Sequence, residues 1–146
     1  MSVSGTPEAT GVDGRTPLGT LGYAEATTSQ GTITTEVDLT SLTSTVTVGT
    51  ARRIRVTVSL EVESSVGNDL AEMRIKESTT PLQRARLICD TANQGQTIQR
   101  SVVLTPSAGS HTYKVALQRA SGTGNVQSTA TSALPAFILV EDIGAA

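Results

Sequence analysis

Arg52-Arg-Ile-Arg-Val-Thr-Val-Ser-Leu-Glu-Val-Glu63 decides the fold class. Ile54, Val56, Val58, Leu60 and Val62 alternate without a break with Arg53, Arg55, Thr57, Ser59 and Glu61. Successive side chains of a strand point to opposite faces, so the pattern describes a strand with one face in a core and one toward water. Working outward, Val66-Gly-Asn-Asp69 reads as a turn, after which Ala71, Met73 and Ile75 alternate with Glu72, Arg74 and Lys76. On the N-terminal side lie strand-like stretches at Leu21–Thr27, Thr32–Leu39 and Thr43–Val48, the last ending at a Gly49 turn. Downstream, strands are expected at Leu82–Asp90, Thr97–Leu104, His111–Arg119 and Val126–Ser132, with turns at Pro106–Gly109 and Ser121–Asn125. About a quarter of the residues are Thr or Ser, which suits strand faces and disfavours helix. The fold class is therefore all-β, a single antiparallel β-sandwich. Its topology is jelly-roll-like or Ig-like, which pattern alone does not separate.

The longest apolar run comes last, in Pro135-Ala-Phe-Ile-Leu-Val-Glu-Asp-Ile-Gly144. It falls far short of the roughly 18–20 apolar residues of a membrane span, so no membrane insertion is expected. Its β-branched and aromatic content between Pro135 and Gly144 predicts a central, buried strand. Phe137 and Leu139 lie on one face of that strand, Ile138 and Val140 on the other. Phe137, Leu139 and Val140 are expected to be mostly buried, with Ile54, Val56, Val58 and Leu60. Apolar residues on both faces assign Phe137, Ile138, Leu139 and Val140 to core or subunit packing.

At 146 residues the chain suits one domain with a core of its own. Charged residues are 16% of the total and the net charge is −2, which offers no basic footprint for nucleic acid. Aromatic residues are 2% (Tyr23, Tyr113 and Phe137, with no Trp), which disfavours sugar-binding and base-stacking platforms. The single cysteine, Cys89, sits in the strand-like Arg86–Asp90 and reads as a buried, inert thiol. His111 is the only histidine, too few with Cys89 for a metal site. Ser residues show no nucleophile elbow, and Gly122-Thr-Gly-Asn125 is too short for a phosphate loop. Glu61 with Glu63, and Glu141 with Asp142, read as solvated or rim charges. An enzyme is not expected, nor any cofactor. Met1–Glu8 lacks the basic and apolar regions of a secretory signal, so synthesis in a cytoplasm is expected.

Four segments in order carry a family likeness: Leu21-Gly-Tyr-Ala-Glu-Ala-Thr27, Thr45-Val-Thr-Val-Gly-Thr-Ala-Arg-Arg-Ile-Arg-Val56, Leu104-Thr-Pro-Ser-Ala-Gly-Ser-His-Thr-Tyr-Lys-Val115 and Pro135–Gly144. Together they resemble the β-domain of virion proteins of tailed phages that infect actinobacteria, described as head-fibre, capsid-decoration or minor tail proteins. The resemblance spans about residues 20–144. It implies a jelly-roll-like domain, a homotrimer, and a structural or adhesive role on the virion with no catalytic residues. Residues 1–19, rich in Gly, Thr, Pro and Ser, form an extended arm that cannot bury enough surface to fold alone. Residues 20–146 form the domain. So short an arm fits docking on a preformed lattice, with Val3, Pro7, Pro17 and Leu18 attaching to the major capsid protein on the capsid exterior. The alternative is a minor tail or tail-tip protein that binds other tail proteins or a host-surface ligand. A C1q- or TNF-like signalling module is disfavoured by the lack of a secretion signal.

Overall fold

The structure, a computed structural model, describes residues 19–146. The arm and its proposed contacts Val3, Pro7, Pro17 and Leu18 lie outside the described residues. Ten strands follow in chain order: β1 (Gly19–Ala26), β2 (Gln30–Ile33), β3 (Val37–Val48), β4 (Arg52–Ser64), β5 (Asp69–Glu77), β6 (Thr80–Cys89), β7 (Gln96–Leu104), β8 (Gly109–Ser121), β9 (Val126–Thr129) and β10 (Ala136–Ala145). Among the described residues there is no helix.

All pairings are antiparallel and make two sheets. The first runs β1-β10-β4, with β7 on the far side of β4; the short β9 and β2 extend it. The second runs β3-β8-β5-β6. Leaving out the short β2 and β9, the first, eighth, third and sixth long strands face the second, seventh, fourth and fifth. That is the double-sheet order of a jelly roll rather than an Ig domain. The C-terminal β10 is central, hydrogen-bonded to β1 on one side and β4 on the other. The first sheet cannot close until this last strand is made.

The alternation in β4 sets the core. Ile54, Val56, Val58, Leu60 and Val62 are buried and meet Ala71, Met73 and Ile75 of β5 and Tyr113, Val115 and Leu117 of β8. Register then fixes the parity of β10, because Val140 pairs with Val56 and Ile138 with Val58. Ile138 and Val140 are fully buried, whereas Phe137 and Leu139 are half-buried on the outer face. Phe137 and Leu139 are thus mostly covered, as expected, but less completely than Ile138 and Val140. A sandwich covers only the inner face of each sheet.

Two expectations change. Thr32–Leu39 is not one strand: β2 stops at Ile33, the chain bends over residues 34–36, and Leu39 joins Thr43–Val48 in β3. Thr32 (φ 63°) and Ser41 (φ 69°) take left-handed backbone that no glycine announces. Asp142 is no rim charge. It is buried and receives two hydrogen bonds from Arg52, Nε to Oδ2 at 2.8 Å and Nη2 to Oδ1 at 2.9 Å. Burial works to raise the Asp142 carboxyl, but the Arg52 guanidinium and the Gly144 N–H outweigh it and hold it below the usual range.

One end of the sandwich is tied by Asp69. Its carboxylate accepts the Ser64 hydroxyl (2.6 Å), the Thr123 N–H (3.0 Å) and the Gly124 N–H (2.9 Å). The predicted turns at 66–69 and 121–125 are thereby locked to each other. Gly122 (φ 109°) sits against this carboxylate with no room for a Cβ, so conformation and space both require glycine there.

Candidate functional site

The outer faces of the two sheets differ in chemistry. On the first sheet, Tyr23 of β1 lies opposite Leu139, and Glu25 opposite Phe137. The Tyr23 and Phe137 rings stack with centroids 5.9 Å apart and planes 28° apart. Tyr23 is 52% exposed. Two of the chain's three aromatic rings therefore stand on an outer sheet face instead of in the core. Across β10, Thr57 pairs with Leu139 and Ser59 with Phe137, and Thr57 shares a 2.8 Å hydrogen bond with Ser101 of β7. The centre of this face is neutral.

Charge enters only at its ends. At one end the Tyr23 hydroxyl donates to Glu25 Oε2 at 2.9 Å. Desolvation first, then that hydrogen bond and the Glu25 charge, push the Tyr23 phenol upward. At the other end Arg55 Nη2 donates to Glu141 Oε1 at 3.1 Å, beside an exposed Val103. Such a neutral aromatic and aliphatic centre with a charged rim is the composition of a protein–protein contact.

The second sheet's outer face is a lattice of ions. Because Ala71, Met73 and Ile75 point inward, Glu72, Arg74 and Lys76 point out. Glu72 is fully covered all the same, accepting from Arg74 Nε (2.7 Å), Arg86 Nε (2.6 Å) and Gln118 Nε2 (3.1 Å). Burial tends to raise its carboxyl, and the Arg86 and Arg74 hydrogen bonds reverse that. Lys76 donates to Glu36 (2.9 Å) and Asp38 (2.8 Å), and Lys114 reaches Asp38 at 3.4 Å. None of this network was singled out from sequence, because a buried strand carboxylate looks there like any solvated one.

The remaining residues weighed from the sequence are placed as follows. Cys89 is fully buried, and burial, followed by the charges of Asp69, Asp90 and Glu63, pushes its thiol up and away from reactivity. His111 is the third residue of β8, which starts at Gly109 rather than at His111 as expected. Its Nδ1 faces Glu77 Oε1 at 2.5 Å and its Nε2 faces the Ser107 carbonyl at 2.8 Å. Both ring nitrogens meet acceptors, which favours the imidazolium, and its pKa is raised chiefly by Glu77. Glu61 accepts from Thr129 and Glu63 from Gln127, so that pair belongs to the first sheet's own side-chain ladder. Among the described residues no group of three or more His, Cys, Asp or Glu side chains converges on a point that could hold a metal.

No family model and no curated protein matches this chain. Among solved structures it is similar to Eiger TNF from S. frugiperda, with a TM-score of 0.57 at 10% identity over 89% of this chain and 96% of that one. A weaker likeness, TM-score 0.42 at 13% identity, is to the insecticidal delta-endotoxin Cry8Ea1 from Bacillus thuringiensis, covering 80% of this chain and 19% of that one. At such identities the likeness to the TNF structure is one of fold, and it agrees with the jelly-roll strand order.

Proposed function

We propose that this chain is a non-catalytic structural protein of a phage virion, a capsid-decoration or head-fibre protein working as a homotrimer. The phage assignment rests on the resemblance of the four ordered segments. The observation that carries the assembly is the outer face of the first sheet, where the exposed Tyr23 and the partly buried Phe137 and Leu139 form one uncharged patch. Three copies turning this face to a common axis bury the patch and leave the ionic face of the second sheet in water. Phe137 and Leu139 become the subunit contact in this reading, while Ile138 and Val140 belong to the core. Residues 1–18 attach the trimer to the major capsid protein.

Fixing an extended segment costs about 1–2 kcal/mol per residue, so an arm of this length needs main-chain pairing to a neighbour's sheet edge and repetition around a trimer. Deleting residues 1–18 should leave a folded domain that no longer joins particles. Normal occupancy of the truncated protein on virions would show that attachment runs through the domain. Copies per particle test the location: hundreds place the protein on the head, whereas single digits or tens place it at the tail.

A further inference from the structure

The ionic lattice on the second sheet is unbalanced. Arg74, Lys76, Arg84, Arg86 and Lys114 face three carboxylates, Glu36, Asp38 and Glu72. Arg74 spans Glu72 and Glu36, and Arg86 is hydrogen-bonded to Glu72. Arg84 is the exception. Its Nη1 stands 3.9 Å from Glu72 Oε2, too far for a hydrogen bond, and its side chain is 64% exposed. Glu72 already accepts from Arg74, Arg86 and Gln118, which leaves it little capacity for a further guanidinium.

Arg84 is also placed next to a concavity. Register brings it opposite Arg74 across β5 and β6, and the two strands slip out of register between Ile75 and Lys76, where Pro81 enters. Arg74, Pro81, Leu82, Gln83 and Arg84 line an open groove of about 410 Å³ there. The lining includes the guanidinium groups of Arg74 and Arg84, a proline ring and a half-buried leucine that also packs on the core. Charged side chains on an edge strand such as β6 also discourage pairing with another chain. That role needs neither a groove nor a second arginine across the strand.

We propose that this groove is a binding site for a small organic oxyanion, a phosphate ester or a carboxylate. Arg84 contacts the anion through its planar fork of donors, with Arg74 held beside it by Glu72 and Glu36. Pro81 and Leu82 contact the organic body. The site is independent of the trimer and of the phage assignment, since it lies on the opposite sheet and uses none of the same residues.

The test uses the full chain with inorganic phosphate and glycerol phosphate at constant ionic strength, followed by backbone amide shifts and calorimetry. Saturable shifts at Gln83 and Arg84 are expected, with dissociation constants in the low millimolar range or tighter and glycerol phosphate binding more tightly than phosphate. Arg84→Gln, at an exposed position that leaves the fold intact, should weaken binding about 10-fold or more through the loss of charge-assisted hydrogen bonds. Arg53→Gln, on the other sheet, should bind as the parent does. Linear, non-saturating shifts, or equal binding by Arg84→Gln, overturn the site. Equal affinity for the two phosphates overturns the apolar contact.

Discussion

Adjacent residues of β10 should fail in opposite ways when cut back to alanine. Ile138 is fully buried in the core, between Ala24 of β1 and Val58 of β4. Replacing it with alanine removes three carbons, worth about 2.4 kcal/mol at ~0.8 kcal/mol per buried methylene. The cavity left in a sandwich that cannot collapse brings the cost to about 2–5 kcal/mol. A domain of this size has only about 5–15 kcal/mol in hand, so the melting temperature should fall by roughly 10 °C or more. Leu139 is half-buried in the single chain. Its truncation should cost the isolated domain only about 1 kcal/mol, yet Leu139→Ala combined with Tyr23→Ala should abolish the trimer. The assay pairs urea unfolding followed by circular dichroism, at concentrations low enough to dissociate subunits, with sedimentation at micromolar concentration. Equal destabilisation by Leu139→Ala and Ile138→Ala in the dilute protein would refute the assignment of faces. A parent protein that sediments as a stable monomer, or a double variant that stays trimeric, would refute the interface.

The other expectations concern single groups. Asp69→Ala frees three donors at one end of the sandwich and should cost about 1–3 kcal/mol by urea titration, each buried donor left without a partner adding to the loss; a change within error would mean that water replaces the carboxylate without penalty. The Asp69 carboxyl is held below its ordinary 3.8, by the Ser64 hydroxyl above all, so its contribution is present above that value and should fade as pH drops through the lower folded value. His111 runs the other way. Its folded pKa is raised from 6.5 by Glu77, so its stabilisation is complete below 6.5 and is lost as pH rises through the folded value. A proton resonance titration should give a midpoint above 6.5, and His111→Gln should flatten the stability–pH curve there. Cys89 should react with a thiol reagent only at the rate of unfolding; rapid modification of the native protein would contradict its burial.

The sequence was legible where periodicity alone carries the information. Five apolar residues at strict spacing 2 define β4 with no help from the rest of the chain, and the glycine- and asparagine-containing turns that precede β5 and β9 are equally local. Three things were not local. Parity in β10 was ambiguous because both faces are apolar, and only register against Val56 and Val58 sends Ile138 and Val140 inward. Asp142 looked like a rim charge because its partner, Arg52, is 90 positions away. Glu72 looked solvated because the arginines and glutamine that cover it arrive from β5, β6 and β8. The break after Ile33 was invisible for another reason: the bend over residues 34–36 contains neither glycine nor proline, and its Thr-rich sequence suits strand as well as bend.

The two outer faces differ in what it would cost to cover them. Burying the second sheet would take Arg84 and Arg86, at 64% and 51% side-chain exposure, out of water together with Lys114 and Asp38. Desolvating such groups costs more than their mutual attraction returns unless a partner supplies matching charge in good geometry. Covering the first sheet removes mainly a tyrosine ring, a phenylalanine ring, a leucine and the hydroxyls of Thr57, Ser59 and Ser101. Two of those hydroxyls already satisfy each other, and the rim pairs Tyr23–Glu25 and Arg55–Glu141 can remain wet. Self-association through the first sheet is therefore the arrangement with the smaller desolvation cost, and it leaves Arg84 and its groove facing outward on every subunit.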